Sequence, residues 1–154
     1  VFGGEMKIIN MSEASAIAIH GAVILATRET ETVCVAEIAA ALHASPDHCA
    51  KVMQRLAKAD LVTAVRGPGG GYRLAKSPAQ IRLADVVGAI EGRITDSYCL
   101  FQEPQCRFGG CLFAGLLSDV HNRVRAYFEE TSLAMMAEKY RKLDRNACVA
   151  GAEV

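Results

Sequence analysis

The apolar residues of this chain recur first at helical spacing, then at strand spacing, then at helical spacing again. Between Glu13 and Ala26, Ile17, Ile19, Val23, Ile24 and Leu25 suit a largely buried helix, and Ser12 just ahead of them is a good N-cap. Arg28 to Thr32 is a polar connection, and Val35 to His43 predicts a short helix with Ile38, Ala39 and Leu42 on one side. Ala44, Ser45 and Pro46 follow, with a serine able to cap and a proline suited to the first helical position. A third helix is therefore predicted from about Pro46 to Ala59. Two short helices joined by a turn of three or four residues form a helix-turn-helix.

After Asp60 the pattern changes. Leu61 to Arg66 is β-prone, Gly67-Pro68-Gly69-Gly70-Gly71 is a tight turn, and Tyr72-Arg73-Leu74 resumes the alternation, which predicts a β-hairpin. A helix-turn-helix followed by such a hairpin is a winged helix. Leu83 to Gly92 predicts a further short helix with Val86, Val87 and Ile90 inward. From Cys111 to about Leu143, the apolar residues Leu112, Leu116, Leu117, Val120, Val124, Phe128, Leu133, Met136 and Tyr140 predict a single long helix. At 1.5 Å per residue a helix of about 30 residues spans roughly 45 Å, longer than a small domain. Such a helix is expected to bury its stripe against a second copy of the chain; the alternative is a brace within one chain.

The expected fold is mostly α with a small β-hairpin wing: a winged helix-turn-helix plus a long C-terminal dimerisation helix. The expected layout is a DNA-binding domain at 6–82, a connecting helix and cysteine-rich loop at 83–111, and the dimerisation helix at 112–145. Flexible ends are expected at 1–5 and 146–154, with Met6 reading as a natural start.

Half of the 154 residues are hydrophobic and 22% are charged, which is globular rather than disordered composition. No stretch approaches the roughly 20 apolar residues of a membrane span. The residues before Met6 lack the basic and apolar regions of a signal peptide, so a cytoplasmic protein without membrane association is expected. The formal net charge is zero, but its distribution is uneven. Lys51, Arg55, Lys58, Arg66, Arg73, Lys76 and Arg82 face the single acid Asp60 across that interval, a local surface for anions.

Helix three divides into two faces. Cys49, Val52, Met53 and Leu56 lie inward, while His48, Lys51, Arg55 and Lys58 recur on another face with Gln54 beside them. A recognition helix has this arrangement, its apolar stripe seated on the domain and its polar face in the major groove. Gln can pair with adenine and Arg with guanine, whereas Lys more often finds phosphate; Ser45 can bond a phosphate or a base edge. On the wing, Arg66 and Arg73 flank glycines whose bare backbone at Gly69 and Gly70 can approach a minor groove, with Tyr72 beside them. A phosphate-cradling nucleotide loop is disfavoured, because the Gly-Lys-Ser/Thr ending is absent. No Ser/His/Asp order or paired carboxylates indicate an enzyme.

Of six cysteines, Cys34, Cys49 and Cys148 are scattered, while Cys99, Cys106 and Cys111 share one stretch with Pro104, Gly109 and Gly110. A disulfide framework does not suit a reducing compartment. Three thiolates suit zinc, Cu(I) or an iron–sulfur cluster, and the absence of a Cys-x-x-Cys knuckle lowers zinc. A fourth ligand is needed, for which Glu13, His20, His121 and Cys148 are candidates.

Several segments together resemble one known family. Met6-Lys7-Ile8, Glu37-Ile38-Ala39, Lys51-Val52-Met53-Gln54-Arg55-Leu56, Leu61-Val62, the wing run Arg66 to Leu74, and Leu83-Ala84-Asp85-Val86-Val87 are similar to the IscR/NsrR family of bacterial winged-helix transcription regulators. The resemblance covers nearly the whole chain from Met6. It implies a homodimer with crossed long helices on palindromic double-stranded DNA, and a cluster held by Cys99, Cys106 and Cys111. An iron–sulfur cluster is the expected cofactor, 2Fe–2S ahead of 4Fe–4S. In the nitric-oxide-sensing branch an acidic residue from the first helix of the other subunit completes the cluster, and Glu13 falls at that place. The chain departs from the family in three ways. Its middle cysteine lies one position nearer Cys111, a histidine found in some members shortly after the third cysteine is missing, and His48-Cys49 replaces a Tyr-Leu pair. A cluster-free regulator answering to thiol oxidation or a partner, and a zinc-stabilised interaction module, are the alternatives.

Overall fold

The computed structural model describes residues 11–92, 113 and 115–150, with side chains described as far as residue 143. Six α-helices and one hairpin are present among them: α1 (Glu13–Thr27), α2 (Val35–Leu42), α3 (Pro46–Lys58), β1 (Val62–Val65), β2 (Gly71–Leu74), α4 (Leu83–Glu91), α5 (Leu116–Glu130) and α6 (Leu133–Ala150).

The helix α1 starts where Ser12 predicts, because the Ser12 hydroxyl accepts the Ser15 N–H at 3.1 Å. Small residues cover much of its surface: Ala18, Gly21, Ala22 and Ala26 are buried with Ile17, Val23 and Leu25. A Cβ at Gly21 would sit 3.4 Å from the Met53 sulfur and 3.5 Å from an Ile38 methyl. The absence of bulk there lets α2 and α3 come in close. Ile38, Met53, Leu56, Val52 and Cys49 fill the space beneath α1, and Met53, Leu56 and Ile38 are fully buried. The four inward residues expected of helix three are the four that α3 buries.

Between α2 and α3 the chain turns at His43, which adopts a left-handed conformation (φ 50°). Its N–H reaches the Ala40 carbonyl, and the Ala44 N–H reaches that of Ala39, closing α2. Pro46 opens α3, as expected. Ser45 occupies the N-cap position, yet its side chain makes no capping bond.

The wing pairs antiparallel, with Val62 opposite Leu74, Thr63 opposite Arg73, Ala64 opposite Tyr72 and Val65 opposite Gly71. At its tip the Gly70 N–H donates to the Gly67 carbonyl at 2.9 Å, and Gly69 has φ +74°. A proline followed by a positive-φ glycine is the type II combination. A further pairing was not anticipated. Val33 and Tyr72 exchange both backbone hydrogen bonds, 3.0 and 2.8 Å, so the α1–α2 connection adds a third extended segment beside the hairpin.

The expected single helix from Cys111 to Leu143 requires correction. The chain breaks at Thr131 and Ser132 into α5 and α6. Thr131 is extended, the Leu83 N–H donates to its carbonyl, and the Leu133 N–H donates to the Ile81 carbonyl. Arg82 and Ser132 thus lie opposite each other as in a short antiparallel bridge. The Ser132 hydroxyl then accepts the Met135 N–H at 3.3 Å and starts α6. The tertiary pairing with residues 81–83 competes with helix continuation and wins, since it satisfies two backbone donors in a buried place. Leu133 and Ala137 of α6 enter the core against α1, and α6 continues past the expected end near 145. By contrast α5 has no buried residue, and Leu116, Val120 and Tyr127 are exposed on it.

Gly71 supplies a test of this arrangement. A Cβ there would lie 2.2 Å from the Val33 carbonyl oxygen. Gly71→Ala is expected to lower stability by about 1–3 kcal/mol, as overpacking does. Urea unfolding followed by circular dichroism measures it; an unchanged midpoint would contradict the clamp between wing and α1–α2 connection.

Candidate nucleic-acid interface

The helix α3 places Lys51, Gln54, Arg55 and Lys58 in solvent, with His48 half-buried among them. Ser45 stands exposed at the start of the helix, its hydroxyl not used for capping. Arg66 and Arg73 of the wing are also exposed, as is Gly69 at its tip. A seated helix with a polar outer face, next to a hairpin with arginines on both sides of its turn, fits a major groove with one element and the neighbouring backbone with the other.

Four residues of this surface have surroundings that the sequence does not reveal. Tyr72 is 9% exposed and belongs to the hydrophobic core, so its ring seats the wing. Gly70 and Gly71 have intramolecular reasons for lacking a side chain. A Cβ on Gly70 would come within 2.5 Å of the Val65 carbonyl oxygen, and one on Gly71 would strike Val33. Arg55, although exposed, turns its guanidinium onto the last turn of α4, where it donates to the Ile90 carbonyl and lies 3.5 Å from that of Ala89.

That last turn of α4 is held from a third direction. Glu91 accepts hydrogen bonds from the hydroxyls of Ser12 and Ser15, the latter at 2.6 Å. These two bonds, with the nearby Arg55 charge, hold the Glu91 carboxyl below its ordinary value. Ser15 is fully buried, so its hydroxyl finds in Glu91 the partner a buried polar group requires. The start of α1, the last turn of α3 and the end of α4 therefore meet at one polar junction. No local sequence signal marks it, because the bonds that tie α1 and α3 to the end of α4 span 34 to 79 positions.

Glu13 projects from the first turn of α1, and its carboxylate lies 3.8 Å from Nδ1 of His48 in the same chain. Cys49, adjacent to His48, is buried; burial raises its thiol above the ordinary value, so it stays protonated near neutral pH. Cys34, half-buried, stands at the start of α2, where its N–H donates to Glu37 at 3.0 Å. Cys99, Cys106 and Cys111 lie outside the described residues, as do Met6 and residues 1–5. Among the described residues no group of three or more His, Cys, Asp or Glu side chains is placed to hold a metal ion. No helix among them is long and apolar enough to cross a membrane.

Residues 11–139 match the family model for Rrf2, described as an iron-dependent transcriptional regulator. The chain belongs to the Rrf2 family. Members are transcription regulators, not enzymes. A putative HTH-type transcriptional regulator of Haemophilus influenzae is 33% identical over 108 residues, 70% of this chain and 71% of that one. The regulator IscR of Cronobacter sakazakii is 30% identical over 117 residues, 75% of this chain and 72% of its own length. The chain spans little more than half of some other relatives, as with the 57% matched in IscR of Photorhabdus laumondii at 34% identity. The fold is similar to that of CymR, the global cysteine regulator of B. subtilis, with a TM-score of 0.74 at 22% identity over 86% of this chain and 98% of that one. It is also similar to that of T. potens IscR, with a TM-score of 0.68 at 22% identity over 86% and 89%. The Rrf2 winged-helix fold is thus the fold of this chain.

The Glu91 junction has a pH signature. A carboxyl held below its ordinary value of 4.5 stabilises the folded state fully above that value, and the contribution is lost as pH falls through the lowered folded value. Wild type is expected to lose stability relative to Glu91→Gln as pH drops below about 4.5, the two curves running parallel above it. Thermal melting from pH 7 to pH 3 checks this; parallel curves throughout would contradict the junction.

Proposed function

We propose that two copies of this Rrf2-family regulator pair along α5 and read a palindromic operator with α3 and the wing of each copy. The basic outer face of α3 beside the arginine-flanked wing carries this reading. Lys51 supplies phosphate contacts, Gln54 and Arg55 supply base contacts, and Ser45 and His48 flank them. Arg66 and Arg73, with the backbone at Gly69 and Gly70, follow the groove next to the wing. The exposed apolar residues of α5, Leu116, Val120 and Tyr127 at spacings of four and seven, fall on one helical face and support the pairing. Cytoplasmic location agrees with this role.

Operator affinity, in this reading, is governed by an iron–sulfur cluster held by Cys99, Cys106 and Cys111, with Glu13 of the partner subunit as the fourth ligand and 2Fe–2S as the cluster type. Three soft donors in a twelve-residue interval match a compact thiolate-bound centre. Iron, redox or nitric oxide status would change the cluster and thereby the affinity, which requires the two states to differ in DNA binding. A second reading is favoured by the displaced middle cysteine: a cluster-free regulator that responds to thiol oxidation or to a partner.

Two measurements test these readings. Arg66→Ala is expected to weaken binding to a selected operator duplex by roughly tenfold, consistent with the loss of about 1–3 kcal/mol for a groove contact. Affinity should fall steeply with salt, by about 0.9 in the logarithmic slope for each phosphate neutralised; salt-independent binding would overturn the DNA-facing assignment. Anaerobically purified protein should show visible absorption with iron and labile sulfide, both lost in Cys106→Ser. Their absence in wild type, with operator binding lost on peroxide and restored by reductant, would establish the second reading instead.

A further inference from the structure

Arg55 has two claims on it. It lies on the exposed face of α3 assigned to bases, yet its guanidinium is engaged with the carbonyls that end α4. The last carbonyls of a helix lack partners within the helix and carry the negative end of its dipole, so a guanidinium is well placed there. Glu91 adds a full negative charge on the same turn, and its carboxylate is fixed by the two serine hydroxyls of α1. The dock is therefore built from three helices. It also has what a reversible one needs, because Arg55 remains on the surface and DNA phosphate and guanine offer the same guanidinium an alternative acceptor.

We propose that the end of α4 is an autoinhibitory dock for Arg55: in the free protein it holds the guanidinium off the operator, and DNA binding must draw Arg55 away from it. This inference rests on the reading of Arg55 as a DNA-contacting residue. Operator affinity then contains the difference between two arginine sites, and any change in how firmly the α4 turn is held alters that affinity without touching a residue that meets DNA. Glu91 is the control point, since it stands on the turn that Arg55 engages while its hydrogen bonds set the position of that turn. Glu13, on the first turn of α1, has its carboxylate 3.8 Å from Nδ1 of His48.

The test is a double-mutant cycle on the full chain with Arg55→Ala, Glu91→Gln and the two combined. The probe is a duplex selected from randomised DNA by the wild-type protein, titrated at fixed salt. Glutamine keeps an oxygen that can accept from Ser12 and Ser15, so the turn is retained while the charge is removed; melting curves near neutral pH verify folding. Glu91→Gln is expected to tighten operator binding about two- to fivefold, the scale of an exposed ion pair. In the Arg55→Ala background the same substitution should change affinity by less than about half that factor, because the arginine it releases is gone. Equal tightening in both backgrounds would mean that Glu91 merely repels DNA and would overturn the dock, as would weaker binding by Glu91→Gln alone. Arg55→Ala alone separates the two ideas. If it leaves operator affinity unchanged and the cycle shows no coupling, the assignment of Arg55 to DNA falls together with the dock; if it weakens affinity while the cycle shows no coupling, only the dock falls.

Discussion

Close approach of helices to α1 is the constraint on which the remaining architecture depends. Its surface is lined by Ala18, Gly21, Ala22 and Ala26, so α3 can bring Met53 to within contact of the α1 backbone and Ile38 of α2 can lie beside it. An alanine at Gly21 would still make ordinary contact with Met53 and Ile38, whereas a side chain reaching beyond Cβ would have to displace one of them. The outer face of α3 is useful only if its inner face is seated firmly, and the seating is a matter of small residues on α1 meeting large ones on α2 and α3. The same helix also receives Leu133 and Ala137 of α6, so the C-terminal segment is anchored to the DNA-reading unit instead of standing apart from it.

Helix ends are tied to their neighbours by arginine. Arg55 of α3 reaches the carbonyls closing α4, Arg82 donates to the Glu130 carbonyl at the end of α5, and Arg141 of α6 donates to the Thr27 carbonyl at the end of α1. Each joins elements far apart in sequence through carbonyl groups that a helix leaves unpaired at its end. Such ties add directionality to a core that is otherwise held by apolar contact. They also allow adjustment, since an exposed guanidinium exchanges partners more readily than a packed leucine.

Much of this fold was legible in the chain, and the parts that were not share a physical character. The helices α1 to α4 and the hairpin follow from periodicity, the Ser12 cap, Pro46 and the glycine run, all local signals. The inward set Cys49, Val52, Met53 and Leu56 follows from the same spacing. The break at Thr131 and Ser132 was missed because the apolar spacing runs on across it, while its cause lies at Ile81 and Leu83, about fifty positions away. Ser132 offered a local start signal, but an isolated serine within a periodic stretch carries little weight. The inward seat of Tyr72 follows from strand alternation beside the exposed Arg73. The polar junction of Ser12, Ser15, Glu91 and Arg55 belongs wholly to tertiary structure.

The bond pair between Val33 and Tyr72, with Gly71 pressed against the Val33 carbonyl, has a consequence for how any ligand is gripped. A wing attached only through its own two strands could pivot about its base and adapt to grooves of different width. Stitched to the chain between α1 and α2, it is instead fixed with respect to α3, much as two teeth are fixed in one jaw. The separation between helix and hairpin is then a property of the protein, and a duplex must conform to it. Sequences that deform easily to that separation would be favoured even at base pairs no side chain touches.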